Sequence, residues 1–139
     1  MSSHRGTILL VEDDPDLRNA HETVLHRAGY DVIATGDGLR AVELADEHEP
    51  TVALVDLLLP GQSGFRVTDA LKAQFGDRVR ILIMSGNASA AHQNYAVAVG
   101  AELFAVKPFT NIALLDAVDA LCLSARSKEA PRPRAKIGV

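Results

Sequence analysis

The sequence predicts an α/β protein: a doubly wound, five-stranded parallel sheet with helices on both faces. Three observations lead there. Five short apolar runs alternate with five stretches of helical periodicity. The runs are continuously apolar rather than alternating, as strands buried on both faces must be. Polar residues capable of chemistry gather just past four of the five runs, where open parallel sheets place their sites.

The elements follow in order. TILLV (7–11) leads to PDLRNAHETVLHRAG, where Leu17, Ala20, Val24 and Leu25 fall at helical spacing. Asp14 is placed to cap that helix, Pro15 takes its first position and Gly29 stops it. DVIAT (31–35) precedes GLRAVELADEH, with Leu39, Val42 and either Leu44 or Ala45 on one face. VALVD (52–56) passes through LLLPGQSG into FRVTDALKAQF, and RILIM (80–84) passes through SGNAS into the alanine-rich AAHQNYAVAVG. That fourth helix reads equally well as a flat partner surface or as a modestly amphipathic surface helix. LFAV (103–106) passes through KPF into NIALLDAVDALCL.

A chain of 139 residues, 47% of them hydrophobic, is enough for one domain with a core. The single cysteine, Cys122, lies in the apolar run AVDALCLS and is expected to fill core space. No apolar run approaches the roughly 20 residues of a membrane span, and a cytoplasmic protein is expected. The net charge is −4, yet Arg126, Lys128, Arg132, Arg134 and Lys136 meet only Glu129 near the end of the chain. Residues 1–123 are therefore expected to form the domain. Residues 124–139, with Pro131 and Pro133, are expected to be a basic tail or linker that does not order itself.

The first run ends in Glu12 and Asp13, the third in Asp56, the fourth at Ser85 and the fifth at Lys107; the second ends at Thr35-Gly36 and adds nothing obvious. Singly, each has a plain explanation as a cap, a turn or a surface lysine. Their joint placement on one sheet edge points to a site. Carboxylates about 4 Å apart repel by roughly 4 kcal/mol at an effective dielectric of about 20. A hard divalent cation offsets that repulsion, and three carboxylates read as having no arginine near them in sequence suit Mg²⁺. The five histidines are scattered and form no zinc pattern. A carboxylate can also act as a nucleophile and form an aspartyl phosphate. Phosphoryl transfer needs chiefly positioning and charge neutralisation, which a metal, a hydroxyl and a lysine provide.

The segments VEDDPDLR, LVDLLLPGQSG, IMSG and VKPF, in this order and spacing, resemble the receiver domain of two-component response regulators over about residues 6–123. The resemblance implies a flavodoxin-like sheet of order 2-1-3-4-5. It makes Asp56 the phosphoacceptor. Mg²⁺ would be bound by Asp13, by Asp56, by the backbone carbonyl of Leu58 and, through water, by Glu12. Ser85 and Lys107 would hold the phosphoryl oxygens, with Ser85 and Phe104 as switch residues, and Lys107-Pro108 would be cis, an isomer that X-Pro bonds tolerate. Phe104 has no hydroxyl, so its switching would work by packing. Leu58 cannot align an attacking water, so self-dephosphorylation is expected to be slow, subject to the neighbouring Asn87.

The implied function is a phosphorelay switch and not an enzyme beyond its own phosphoryl transfer. Its partner would be a sensor histidine kinase or phosphotransfer protein. A homodimer could form through the fourth helix, fifth strand and fifth helix, and neither nucleic acid nor membrane would be bound directly. A degenerate receiver acting only in protein contacts is the alternative. An aspartate-nucleophile phosphatase would need an acid where Leu58 stands, and a flavodoxin-like cofactor binder would need a phosphate loop after the first strand. Two outputs are expected: a stand-alone receiver acting by protein contact, or the N-terminal piece of a longer regulator in which APRPRAK would be the linker.

Overall fold

The computed structural model describes residues 5–127 and 137–138. Strands β1 (Thr7–Val11), β2 (Asp31–Thr35), β3 (Val52–Asp56), β4 (Arg80–Ser85) and β5 (Leu103–Val106) form a parallel sheet in the order 2-1-3-4-5. A short sixth strand, β6 (Ile137–Gly138), pairs with Ala105 and Val106 on the outer edge of β5. The helices are α1 (Pro15–Arg27), α2 (Gly38–His48), α3 (Gly64–Phe75), α4 (Ala90–Ala98) and α5 (Asn111–Ser127), with one 3₁₀ turn at Gly76–Arg78. Residues 124–127, expected in the tail, thus continue the last helix, and the tail's 128–136 and 139 lie outside the described residues. No helix among the described residues is long and apolar enough to cross a membrane.

Successive side chains of a strand point to opposite faces, so each strand feeds two cores. Ile8, Leu10, Val52, Leu54, Leu82 and Met84 pack with Leu25 of α1 and with Leu114, Val118 and Leu121 of α5; Cys122 is buried there, as expected. Leu9, Val11, Ala53, Val55, Ile81 and Ile83 pack instead with Ala41 and Ala45 of α2, Val67 and Leu71 of α3, and Ala96 of α4. Two expected helix faces hold only in part: Leu25 and Ala45 are buried as expected, but other members are not. In α1 the buried pair is His21 and Leu25, while Leu17 and Ala20 are exposed. In α2 the buried residues are Gly38, Ala41 and Ala45, and Leu39 is 68% exposed. Close packing explains the second case: a Cβ on Gly38 would lie 2.9 Å from Val67 Cγ2, so α2 approaches α3 through its small residues.

At the amino ends of β4 and β5, Glu102 joins three elements. Its Oε2 accepts from Lys72 Nζ of α3 at 2.6 Å, its Oε1 accepts from the Ile81 N–H at 2.7 Å, and Arg80, buried, stands 3.6 Å away. The carboxyl ends of the strands form the opposite rim. There the register sets Asp56 beside Met84 and Ser85 beside Val106.

Candidate functional site

The three acids after β1 part company. Asp14 caps α1, accepting from the N–H groups of Asp16 and Leu17, with Pro15 at the first helical position. Asp13 is exposed, and among the described residues its carboxylate makes no hydrogen bond or ion pair. Glu12 turns inward and is only 1% exposed. Its N–H donates to the Thr35 carbonyl at 3.0 Å, which fixes the end of β1 against β2. Its Oε2 accepts from the Asp14 N–H at 3.2 Å, and its Oε1 accepts from Lys107 Nζ at 2.8 Å.

Lys107 stands between two carboxylates, with its ammonium 3.4 Å from Asp56 Oδ2. The lysine is set by its own backbone, whose N–H donates to the Ser85 carbonyl at 2.8 Å, and the Lys107-Pro108 bond is cis as expected. Ser85 is buried at the end of β4, and its Oγ accepts from the Asn87 N–H at 3.0 Å. Phe104 is buried in the core on the α2, α3 and α4 side, and Leu58 is 75% exposed.

Burial pushes the Asp56 carboxyl up to about 6, reinforced by its hydrogen bond with Glu12, and Lys107 only partly offsets this. Burial acts upward on Glu12 as well, but there the Lys107 bond and the hydrogen bond with Asp56 outweigh it, and Glu12 falls below the usual carboxylate range. Lys107 thus lies closer to Glu12 than to Asp56.

No group of three or more histidine, cysteine or acidic side chains among the described residues converges closely enough to hold a metal unaided. The donor set still fits Mg²⁺, which takes one or two carboxylates and keeps several waters. Glu12, Asp13 and Asp56 are oxygen donors at one rim, and a single lysine pairs with Glu12 and Asp56.

Four contributors escaped the sequence reading. Arg18 of α1 donates from Nη1 to the backbone carbonyls of Glu12 at 2.8 Å and Asp13 at 3.4 Å. Gly36 makes room for it, since a Cβ there would lie 2.8 Å from that nitrogen; the end of β2 thus has a role after all. His21 stacks on Phe109, centroids 5.4 Å apart, two residues beyond the lysine. Gly64 lies against the acceptor strand, where a Cβ would come within 2.3 Å of the Asp56 carbonyl oxygen. An arginine one helical turn past an acid pair, followed by a glycine just after the next strand, was the available signal for the first.

The sequence profile of the response regulator receiver domain matches residues 8–119. A DNA-binding response regulator, MtrA of Mycolicibacterium smegmatis, is 34% identical over 109 residues, covering 78% of this chain and 47% of that protein. The chain thus spans about half the length of the curated relatives it matches. Among solved structures, a LuxR-family two-component response regulator from Aurantimonas sp. is similar at 30% identity and a TM-score of 0.79, with 86% of each chain covered. The chemotaxis response regulator CheY4 of Vibrio cholerae is similar at 28% identity and a TM-score of 0.77, covering 83% of this chain and 97% of that one.

Proposed function

The chain belongs to the response regulator receiver domain family, a family of signalling domains, and from that premise we propose that it is a phosphoacceptor switch in which Asp56 carries the phosphoryl group. The observation that carries the reading is the placement of Lys107, 2.8 Å from Glu12 and 3.4 Å from Asp56. One cation within reach of both carboxylates can pass from one to the other as charge builds.

The donor is a phosphohistidine of a sensor kinase or phosphotransfer protein. An Asp56 carboxylate oxygen attacks phosphorus, the P–N bond breaks, and the imidazole leaves with the electron pair. Asp56 reacts as the carboxylate, the form that predominates above about pH 6. Asp13, Asp56 and the Leu58 carbonyl, with Glu12 through water, would hold Mg²⁺, which would supply positive charge to the carboxylate and the phosphoryl oxygens. The new group brings about −1.5 to −2 of charge. Lys107 then leaves Glu12 for a phosphoryl oxygen, and the Ser85 hydroxyl donates to another. The loop from Ser85 to Ser89 follows, and Phe104 repacks beneath it. The surface of α4, β5 and α5 changes shape as a two-state element biased by local charge, and this surface is where a homodimer or an output partner would dock. Leu58 projects into solvent with no group to orient water, so the acyl phosphate hydrolyses slowly. The receiver itself makes no nucleic-acid contact; in a longer regulator that task would fall to another region.

The test is phosphorylation by acetyl phosphate with Mg²⁺, followed by intact mass. The wild-type chain should gain one phosphoryl group, and Asp56→Asn or removal of Mg²⁺ should abolish the gain. Undiminished incorporation by Asp56→Asn would overturn the assignment.

A further inference from the structure

Helix α4 is held lightly. Ala96 is its only buried residue, and an open groove of about 680 Å³, lined by Phe65, Arg66, Asp69, Tyr95 and Val99 among others, separates it from α3. Elements with so little burial are the ones that move. Two lines nevertheless connect α4 to the acceptor. The first is a series of hydrogen bonds: the Asn87 N–H donates to Ser85 Oγ, the Ser89 N–H donates to Asn87 Oδ1 at 2.8 Å, and Ser89 Oγ caps α4 by accepting from the His92 N–H at 3.2 Å.

The second line runs through aromatic rings. The Gly64 N–H donates to the Leu57 carbonyl at 2.8 Å, and the absence of a side chain lets the start of α3 press on the Asp56 carbonyl. The next residue, Phe65, therefore sits at a fixed offset from the acceptor. Its ring meets that of Tyr95 edge to face, with centroids 4.5 Å apart and planes at 86°, and lies 6.1 Å from His92. Tyr95 and His92 are one turn apart on α4, on the face turned to α3.

We infer that the Phe65–Tyr95 ring pair is a resting-state latch between the phosphoacceptor segment and α4, which opens when the Ser85 loop is drawn toward a phosphoryl group. The inference rests on the proposed function. The hydrogen-bonded loop pulls one end of α4 while Phe65, pinned by Gly64, stays with the acceptor. The groove supplies the space for the helix to shift. Because the latch is made in the resting state, it favours that state, and its loss favours the other.

The chain provides its own reporter. It has no tryptophan and two tyrosines. Tyr30 is buried and hydrogen-bonded to Asp119, whereas Tyr95 is 53% exposed. The full chain labelled with 3-fluorotyrosine is titrated with beryllofluoride in Mg²⁺ and followed by fluorine NMR, with Tyr95→Phe assigning the resonances. The Tyr95 signal should shift in proportion to protein-bound beryllofluoride while Tyr30 stays still. Phe65→Leu should tighten the apparent beryllofluoride affinity roughly two- to tenfold, the range expected from losing one aromatic pair. Tyr95→Leu should do the same from the other side, and the double variant should add little to either. A stationary Tyr95 signal with beryllofluoride bound, or unchanged or weakened affinity in both single variants, would overturn the latch and leave the acceptor site standing. Absence of any protein-bound beryllofluoride would sink the site and the latch together.

Discussion

Asp56 is a buried acid that shares a hydrogen bond with Glu12 and only the outer reach of a lysine, and its effect on stability follows from that setting. Its pKa of about 6 in the folded chain stands above the ordinary aspartate value of 3.8. The native state therefore holds the proton more tightly than the unfolded chain does. That advantage is complete below about pH 4 and is lost as pH rises through 6. Asp56→Asn should accordingly raise stability at pH 7.5 in chelator, by on the order of 2–3 kcal/mol at most, with the gain vanishing below about pH 4. Urea unfolding of both chains across that range checks it, and a gain that persists at acid pH would contradict the charge argument. Glu12, Asp13, Asp56, Ser85 and Lys107 were legible as a group because strand ends in a parallel sheet share one rim. Arg18 and His21 were not. A helical repeat tells which side of a helix faces inward, but not which backbone carbonyl a long side chain reaches or which ring another stacks on.

Among the elements, strands proved easier to read than helix faces. The five apolar runs match β1 to β5 almost residue for residue, since a doubly covered strand needs nothing but apolar length. The face of α2 was harder because alanine and glycine do the burying where helices come close, and such residues carry little hydrophobic signal; on α1 a histidine, His21, takes the inward place beside Leu25. The same principle operates at the start of α3. Gly64→Ala would drive a methyl to 2.3 Å from a backbone carbonyl, where no flexible side chain can yield. It should cost about 1–3 kcal/mol or more and lower the rate of acetyl phosphate labelling by displacing Asp56. Denaturant midpoints and labelling kinetics measured together test both effects, and a neutral outcome in each would show that α3 starts less tightly than its geometry says.

On the scale of the whole molecule, the order 2-1-3-4-5 was legible through family resemblance and is present in the sheet. The sixth strand was not, since two residues carry no periodicity. The molecule is also unequal end to end. The polar knot of Lys72, Glu102 and Arg80 sits at the far end of the sheet from Asp56, largely enclosed. Glu102→Gln would leave two enclosed cations facing a neutral amide, at a cost on the order of 3 kcal/mol. Its phosphorylation by acetyl phosphate at a temperature where it remains folded should match the wild type. A selective loss of labelling with unchanged stability would mean that the two ends communicate.

That knot gives the domain a handle. It ties α3, β4 and the start of β5 at one rim, whereas Gly86 to Ser89 at the other rim lie exposed. Amides near Ile81 should then keep their deuterium longest, and those between Gly86 and Ser89 should surrender it first.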